Sequence, residues 1–282
     1  MTVTIDEAPS ARTLTEAAVR LSGVSKWFGK ETDKPVLDGI DLTVAPGEFV
    51  CLLGASGCGK STLLNLVAGL DPVSAGSIEV TGGRAALMFQ ESALFPWLTA
   101  AGNIELALRL RGVGKAQRRS EAERLLSLVR LEGAAHKRAH ELSGGMRQRV
   151  ALARALAQQA EVLLMDEPFA ALDAITRDVL HGELTALWQE TGVTVLFVTH
   201  NVREAARLGQ RVILLSSRPG RVAREWQVDI PQPRRIEDAA VSELAREITD
   251  ELHREITKHA RFAQGSATQR SGIKSKETRR DG

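Results

Sequence analysis

A glycine-rich loop between an apolar strand and an apolar helix constrains the fold more than any other feature. Residues 54–61 read Gly-Ala-Ser-Gly-Cys-Gly-Lys-Ser, after the continuously apolar residues 49–53 and before the mostly apolar residues 63–68. Glycines let successive backbone N–H groups point at a phosphate, and the helix that follows adds a favourable dipole. The spacing and its context therefore predict a phosphate loop at one edge of an α/β sheet.

Lys60 and Ser61 carry the clearest chemistry in this phosphate loop. Lys60 supplies a cation to the β- and γ-phosphates of a nucleotide, and the Ser61 hydroxyl is a natural Mg²⁺ ligand. The alternative is a chance glycine-rich turn, which the strand and helix on either side disfavour. The other residues predicted to contact a nucleotide here are Gly54, Ala55, Ser56, Gly57, Cys58, Gly59 and Thr62.

Two adjacent carboxylates, Asp166 and Glu167, follow the apolar residues 162–165. Active sites of open parallel sheets lie at the carboxyl ends of strands. Asp166 suits a carboxylate that holds Mg²⁺ through its water shell, and Glu167 suits a general base for an attacking water. Taken alone, an acidic turn capping the next helix explains the pair equally well. The phosphate loop upstream favours the catalytic interpretation.

The hydrophobic pattern predicts an α/β fold with an antiparallel β layer and an inserted α-helical subdomain, and the phosphate loop indicates a P-loop NTPase core. Alternating patterns indicate half-buried strands, and continuous apolar runs indicate strands covered on both faces. Strands are predicted at residues 19–22, 40–44, 49–53, 77–80, 85–89, 162–165, 194–198 and 212–215. Ser120 is predicted to cap a helix that carries Ala122, Leu125, Leu126 and Val129 on one face.

The chain divides into three predicted parts. Residues 1–18 are predicted to be a flexible N-terminal segment, and residues 19–231 the α/β domain that holds the phosphate loop, with its helical subdomain at about 91–159. Residues 232–282 are predicted to form a helical extension that becomes a flexible tail from about Gly265, where Ser, Gly, Lys and Arg replace apolar periodicity.

Composition excludes several classes of protein. The chain has 282 residues, 43% of them hydrophobic, which is enough for a sizeable core. No stretch approaches the ~18 apolar residues of a bilayer span, and an N-terminus with Asp6 and Glu7 is not a secretory signal. The net charge of +2 is too weak to indicate nucleic acid as a partner. The two cysteines, Cys51 and Cys58, form no disulfide framework, which favours a reducing compartment.

A third motif completes a recognisable set. Residues 142–149 read Leu-Ser-Gly-Gly-Met-Arg-Gln-Arg, between the phosphate loop and the two carboxylates. With the three motifs in this order, the chain resembles the ATP-binding subunit of an ABC transporter over roughly residues 19–231. The resemblance implies a head-to-tail homodimer that binds two ATP molecules with Mg²⁺. The signature turn, formed by Ser143, Gly144 and Gly145, would then cover ATP held by the opposite protomer.

The resemblance also assigns roles outside these motifs. Gln90 matches a glutamine that reaches Mg²⁺ and the attacking water, His200 a histidine that contacts the γ-phosphate, and Asp173 a loop that crosses the dimer interface. Phe28 matches the aromatic residue that stacks on adenine, with Trp27 as the competing candidate. Three residues depart from the commonest family pattern, namely Met146, Ala170 and Asn201. None of them replaces a group with a direct chemical role.

Three further segments resemble the nitrate/sulfonate/taurine importer branch, at residues 95–99, 217–221 and 230–234. This branch implies a separate membrane permease, an external solute-binding protein and a peripheral position on the cytoplasmic face of the inner membrane. Trp97 is expected to be exposed where a permease helix docks, against the alternative of a buried packing residue. Two other functions stay open: an importer ATPase for another small solute, such as a pyrimidine precursor or bicarbonate, and a soluble ABC ATPase without a permease.

Overall fold

A computed structural model describes residues 17–29 and 34–277, with side chains up to residue 258. The predicted N-terminal segment, residues 1–18, lies outside the described residues apart from its last two. Nine strands occur in the described part, in two sheets. They are β1 (Val19–Lys26), β2 (Leu37–Val44), β3 (Phe49–Gly54), β4 (Ala75–Val80), β5 (Ala85–Met88), β6 (Val162–Asp166), β7 (Thr194–Val198), β8 (Arg211–Leu215) and β9 (Val222–Gln227).

The larger sheet has six strands in the order β5-β6-β7-β3-β8-β9. Its first five strands are parallel, and β9 pairs antiparallel with β8. Every residue of β3 and β7 is buried, as their continuously apolar sequences predict. The sequence does not predict β9, because Trp226 is its only buried residue and no alternation results.

The smaller sheet is antiparallel, with the order β2-β1-β4. Its register pairs Val19 with Val44 and Leu21 with Leu42, so the apolar residues of both strands face the same side. They pack with α1 and with one face of β3, which contributes Val50 and Leu52. The predicted antiparallel layer is therefore present, and it also includes β4 from after the phosphate loop.

Seven α-helices occur in the residues that the structure describes. They are α1 (Lys60–Val67), α2 (Ala100–Leu110), α3 (Lys115–Leu128), α4 (Gly144–Leu156), α5 (Ala174–Thr191), α6 (Val202–Leu208) and α7 (Ala239–Glu277). Helices α2, α3 and α4 lie between β5 and β6 and form the predicted helical insertion. They share an apolar core with the opposite face of β3, including Phe49 and Leu53.

The predicted cap at Ser120 is wrong. Helix α3 begins at Lys115 after Gly114, and the Ser120 hydroxyl donates to the Gln117 carbonyl inside the helix at 3.0 Å. The first turn of α3 is exposed and polar, so it carries none of the apolar periodicity that marks the buried part at Leu125 and Leu126.

The C-terminal segment is packed against the core where it begins. Arg234 is 4% exposed and donates to backbone carbonyls that include those of Ile230 at 2.8 Å, Ala206 at 3.0 Å and Gly209 at 2.6 Å. Helix α7 then packs on α6 through Val241. The helix continues to Glu277, past the position where the sequence predicts a flexible tail.

Candidate functional site

The predicted site residues follow neighbouring parallel strands of the larger sheet. The phosphate loop follows β3, Asp166 ends β6, and Gln90 and His200 come shortly after β5 and β7. Because the carboxyl ends of parallel strands meet at one edge of a sheet, these segments converge there. The strand order β5-β6-β7-β3 therefore brings together residues that are far apart along the chain.

The phosphate loop turns tightly through two glycines in left-handed backbone conformations. Gly57 has a φ of 76° and Gly59 a φ of 105°. A Cβ atom at Gly59 would also lie 2.6 Å from Cδ2 of Leu37, so a larger residue does not fit. Helix α1 begins directly afterwards at Lys60, and the N–H groups of its first turn are available to an anion.

Lys60 is 7% exposed and is held by the loop that precedes it. Its Nζ donates to the Gly54 carbonyl at 2.8 Å and to the Ala55 carbonyl at 3.2 Å. These hydrogen bonds satisfy the buried ammonium group of Lys60. When a nucleotide binds, a phosphate oxygen can replace a carbonyl as the acceptor. Burial raises the pKa of the Cys58 thiol, although the charge of Lys60 opposes the shift, so Cys58 is a neutral packing group.

Asp166 and Glu167 occupy different environments at the end of β6. Burial raises the pKa of Asp166, a hydrogen bond with the Ser61 hydroxyl opposes this, and the charge of Glu167 raises the pKa further. Glu167 has a left-handed backbone with a φ of 44°, and its N–H donates to the Val198 carbonyl at 2.9 Å. A non-glycine residue in this conformation costs roughly 1–3 kcal/mol and persists where its surroundings hold it.

The Glu167 carboxylate contacts the predicted γ-phosphate sensor. Its Oε2 lies 3.0 Å from Nδ1 of His200. The two residues come from the ends of adjacent strands, β6 and β7, so the sheet fixes their separation. The structure thus places the predicted general base, Glu167, in contact with the imidazole of His200.

A cavity of about 420 Å³ lies over the phosphate loop. Phe28 forms one wall with 55% of its surface exposed, and Nζ of Lys26 lies 5.0 Å from the ring centroid. Trp27 is half-buried and is not among the lining residues, which favours Phe28 as the adenine contact. The lining residues are Phe28, Val36, Ser56, Gly57, Gly59, Lys60, Ser61, Thr62, Glu167 and Arg218.

The sequence does not predict two of these lining residues, Val36 and Arg218. In the sequence, residues 217–221 stand out only by their resemblance to one family branch. The apolar run of β8 directly precedes this loop, but that run does not by itself place the loop beside a nucleotide. Its pairing with β3, in which Leu215 faces Gly54, brings Arg218 to the phosphate loop.

The signature turn does not line this cavity. Ser143 caps α4 by accepting from the Met146 N–H at 3.2 Å, and Gly145 packs so closely on α5 that a Cβ would lie 2.8 Å from Cγ2 of Thr176. Asp173, which also lies off the cavity, caps α5 by accepting from the Thr176 N–H at 3.0 Å. In one copy of the chain, these residues are therefore apart from the phosphate loop.

Gln90 also stands outside the cavity lining, and its side chain is exposed. Its carbonyl accepts from Nε2 of Gln148 at 3.0 Å. Arg154 holds the residues that follow, because its guanidinium donates to the carbonyls of Ala93 at 2.7 Å and Ser92 at 2.9 Å. Helix α4 thus connects the segment after β5 to the signature turn at its own N-terminus.

The oxygen donors near the phosphate loop suit Mg²⁺ better than a softer metal. Within residues 17–29 and 34–258, whose side chains the structure describes, no group of three His, Cys, Asp or Glu side chains could hold a metal ion. Ser61 and Asp166 instead offer a hydroxyl and a carboxylate, and the Ser61 hydroxyl lowers the pKa of Asp166 against the effect of burial. Mg²⁺ commonly binds through one or two such protein oxygens, with water and substrate phosphates completing its shell.

The fold and the phosphate loop define a nucleotide-binding cassette of the P-loop class. The ABC transporter family profile matches residues 37–170. The chain belongs to this family and is one of its ATP-binding, ATP-hydrolysing subunits, which confirms the resemblance. In the described part of the chain, no helix combines the length and hydropathy of a membrane span.

Several relatives and solved structures are similar over most of their length. The taurine import ATP-binding protein of Escherichia coli (strain K12) is 46% identical over 206 residues, which cover 71% of this chain and 81% of that protein. The aliphatic sulfonates import ATP-binding protein of Bacillus subtilis (strain 168) is 40% identical over 257 residues, covering 88% and 99%. A dimeric ATP-binding cassette in a post-hydrolysis state with bound ADP and Pi is 33% identical, with a TM-score of 0.67, covering 76% and 100%. The predicted fold class is confirmed.

Proposed function

We propose that this chain energises the import of a small anionic solute, of the taurine, aliphatic sulfonate or nitrate type, through a separate permease. The observation that carries the ATPase chemistry is the contact between Glu167 and His200 beside the phosphate loop. The similarity to taurine and sulfonate import proteins supports the importer branch. All three candidate solutes carry an anionic oxyacid group.

Hydrolysis follows from the roles of four residues. The attacking water gives a proton to Glu167 as its oxygen bonds to the γ-phosphorus, and the bond to the bridging oxygen breaks to give ADP and phosphate. His200 holds the Glu167 carboxylate in place through Nδ1 and reaches the γ-phosphate. Lys60 exchanges its two loop carbonyls for phosphate oxygens. Gln90 completes the site when its segment moves towards the water.

Mg²⁺ would be held by Ser61 and Asp166, with Gln90 as a further oxygen donor, and would neutralise phosphate charge. The raised pKa of Asp166 supports this role, because a desolvated carboxylate gains by meeting a cation.

The active form is a head-to-tail homodimer. Ser143, Gly144 and Asp173 lie off the cavity of their own chain, which supports their use by a second copy. The small residues of the signature turn let its backbone approach the partner's ATP. The similarity to a dimeric cassette also supports this arrangement.

The permease docks beside Gln90 on the cytoplasmic face of the inner membrane, and an external solute-binding protein acts through the permease. Trp97 is 69% exposed, which argues against the buried packing role, and its ring lies 5.4 Å from that of Phe95. Phe95 is anchored by Asn103, whose side-chain oxygen accepts from the Phe95 N–H at 2.8 Å. An exposed tryptophan that packs on an anchored, partly buried phenylalanine suits a helix of a membrane partner.

Growth of a strain that lacks the gene tests this proposal. We expect slower growth with taurine or aliphatic sulfonates as the sulfur source, or nitrate as the nitrogen source, and recovery with the wild-type gene. Glu167→Gln should not restore growth and should reduce ATP turnover at least about a hundredfold, the usual contribution of a general base. Glu243→Gln, which changes an exposed carboxylate on α7, is the control.

Trp97→Ala separates coupling from hydrolysis in the same strain. It should lose complementation and co-purification with the permease while keeping ATP turnover in the purified subunit. Leu110→Ala, which removes a residue that is 79% exposed on α2, should keep all three properties. Unchanged growth on every solute would exclude this importer branch, and purification without any permease would favour a soluble ABC ATPase.

A further inference from the structure

The loop between β8 and β9, residues 216–221, brings a cation into the nucleotide cavity. Arg218 lines the cavity together with Phe28, Gly57 and Lys60. Its Nε donates to the Gly57 carbonyl at 3.0 Å. The guanidinium therefore touches the phosphate loop directly, although it comes from a different strand connection.

The backbone of this loop is held between β2 and the phosphate loop. The Gly220 N–H donates to the Val36 carbonyl at 2.8 Å, and the Asp38 N–H donates to the Gly220 carbonyl at 3.0 Å. A Cβ at Gly220 would lie 2.2 Å from the Cys58 carbonyl oxygen, so only glycine permits this approach. The contacts fix the base of the Arg218 side chain rather than leaving it on a mobile turn.

A second set of bonds closes the loop on itself. The Ser216 hydroxyl donates to the Pro219 carbonyl at 2.8 Å and accepts from the Arg221 N–H at 3.0 Å. Arg221 also forms an ion pair with Asp38. The loop thus contains two arginines with different surroundings, one paired with a carboxylate and one directed into the cavity.

Arg218 retains hydrogen-bonding capacity. Among the described residues, no carboxylate lies within ion-pair distance of its guanidinium, and the Gly57 carbonyl is the one acceptor it contacts. A guanidinium offers five N–H donors in a planar fork that matches phosphate oxygens. The donors on its terminal amino groups are directed to no acceptor of the described chain.

We propose that Arg218 is a nucleotide-binding residue that contacts the phosphate chain of ATP. The inference rests on the proposed function, because it takes ATP as the ligand of this cavity. Nε keeps its bond to Gly57, and the terminal amino groups meet phosphate oxygens from the side opposite helix α1. Arg218 and Lys60 then supply two cations from separate parts of the sheet edge.

Equilibrium binding tests this role in a Glu167→Gln background, where turnover is slow. Arg218→Gln keeps an N–H donor for the Gly57 carbonyl but removes the charge, and should weaken MgATP binding about tenfold, as for one charge-assisted hydrogen bond. Arg218→Lys keeps the charge and should retain most of the affinity. Arg246→Gln, an exposed charge on α7, should bind MgATP as the parent does.

Adenosine distinguishes a phosphate contact from a change in loop shape. Its affinity, measured by competition with a fluorescent nucleotide, should be the same in Arg218→Gln and the parent. Equal losses for adenosine and MgATP, or no loss for either, would overturn the assignment of Arg218. Arg218 is exposed, so its replacement leaves the core intact. Failure of the proposed function looks different, because loss of the importer role would appear in the growth experiment and loss of the ATP site would appear as a parent that does not bind MgATP.

Discussion

At the scale of single residues, two carboxylate residues of the site lie in environments that lower the stability of the folded protein. Asp166 is a carboxylate whose pKa is raised by burial, and Glu167 has a left-handed backbone that glycine would adopt more easily. Neither feature helps an isolated chain to fold. Both suit a site that gains a cation and a phosphate chain, because the ligand then supplies the missing interactions.

Asp166→Asn should raise the stability of the nucleotide-free protein at neutral and alkaline pH. Because the folded pKa of Asp166 is raised, the folded state binds the proton more tightly than the unfolded state. Stability from this group is therefore full below the unfolded pKa and is lost as pH rises through the folded pKa. The urea midpoint of unfolding should be higher for the variant than for wild type at about pH 8. This difference in midpoint should shrink towards about pH 4.

Asp250→Asn is the matched control for this experiment. Its side chain is exposed on α7, so the substitution should shift the urea midpoint equally at both pH values. A wild-type advantage over Asp166→Asn at about pH 8 would contradict a desolvated carboxylate at the end of β6.

At the scale of secondary-structure elements, a buried polar chain connects α5, α6 and the end of β7. His181 on α5 is 1% exposed, and its Nε2 lies 2.7 Å from Oε1 of Glu204 on α6. The Thr199 hydroxyl donates to the other oxygen of the same carboxylate. Thr199 directly precedes His200, so two helices help to position the proposed γ-phosphate sensor.

His181→Ala should destabilise the protein by about 2–4 kcal/mol, because it leaves a buried carboxylate without one of its two partners. His181→Gln keeps an N–H donor and should recover most of this loss in urea denaturation. His140→Ala, at an exposed histidine, should leave stability unchanged. At a low temperature where both proteins are fully folded, His181→Ala should still hydrolyse ATP more slowly than wild type. Equal turnover would mean that these buried polar contacts have only a structural role.

The same scale shows what sequence can predict. Strands β3 and β7 were predicted because burial on both faces leaves a continuous apolar run. Strand β9 and the first turn of α3 were not, because exposed edges carry no such signal. The phosphate loop, Asp166 and Glu167 were predicted from spacing and context. Arg218 required the pairing of β8 with β3, which is a long-range property that local sequence does not encode.

At the scale of the whole molecule, one chain carries all the motifs but brings only some of them together. Lys60 and Glu167 line one cavity, whereas Ser143 and Gly144 lie elsewhere. A Cβ at Gly144 would meet Cδ2 of Leu172 at 3.6 Å, an ordinary contact distance, so this glycine is not required by close packing in its own chain. The absence of a side chain at Gly144 therefore suits the close approach of a group from outside the chain. In the proposed dimer, this group is the ATP bound by the partner.

A mixed dimer tests this division of the site. One protomer carries Lys60→Ala and keeps an intact signature turn, and the other carries Gly144→Asp and keeps an intact phosphate loop. In a head-to-tail dimer, the two intact halves meet in one site and the two damaged halves meet in the other. Gly182→Asp is the control for a glycine-to-aspartate change, because a Cβ there meets nothing within 4 Å.

The mixed dimer should therefore bind one ATP tightly, although neither parent homodimer contains an intact site. Nucleotide stoichiometry measured on tagged, separately purified heterodimers gives the result directly. The Lys60→Ala homodimer should lack binding because both phosphate loops have lost their cation, and the Gly144→Asp homodimer because a carboxylate repels each γ-phosphate. Two equally impaired sites in the mixed dimer would instead mean that each chain builds its ATP site alone. In that case Ser143 and Gly144 would have no part in binding the partner's nucleotide.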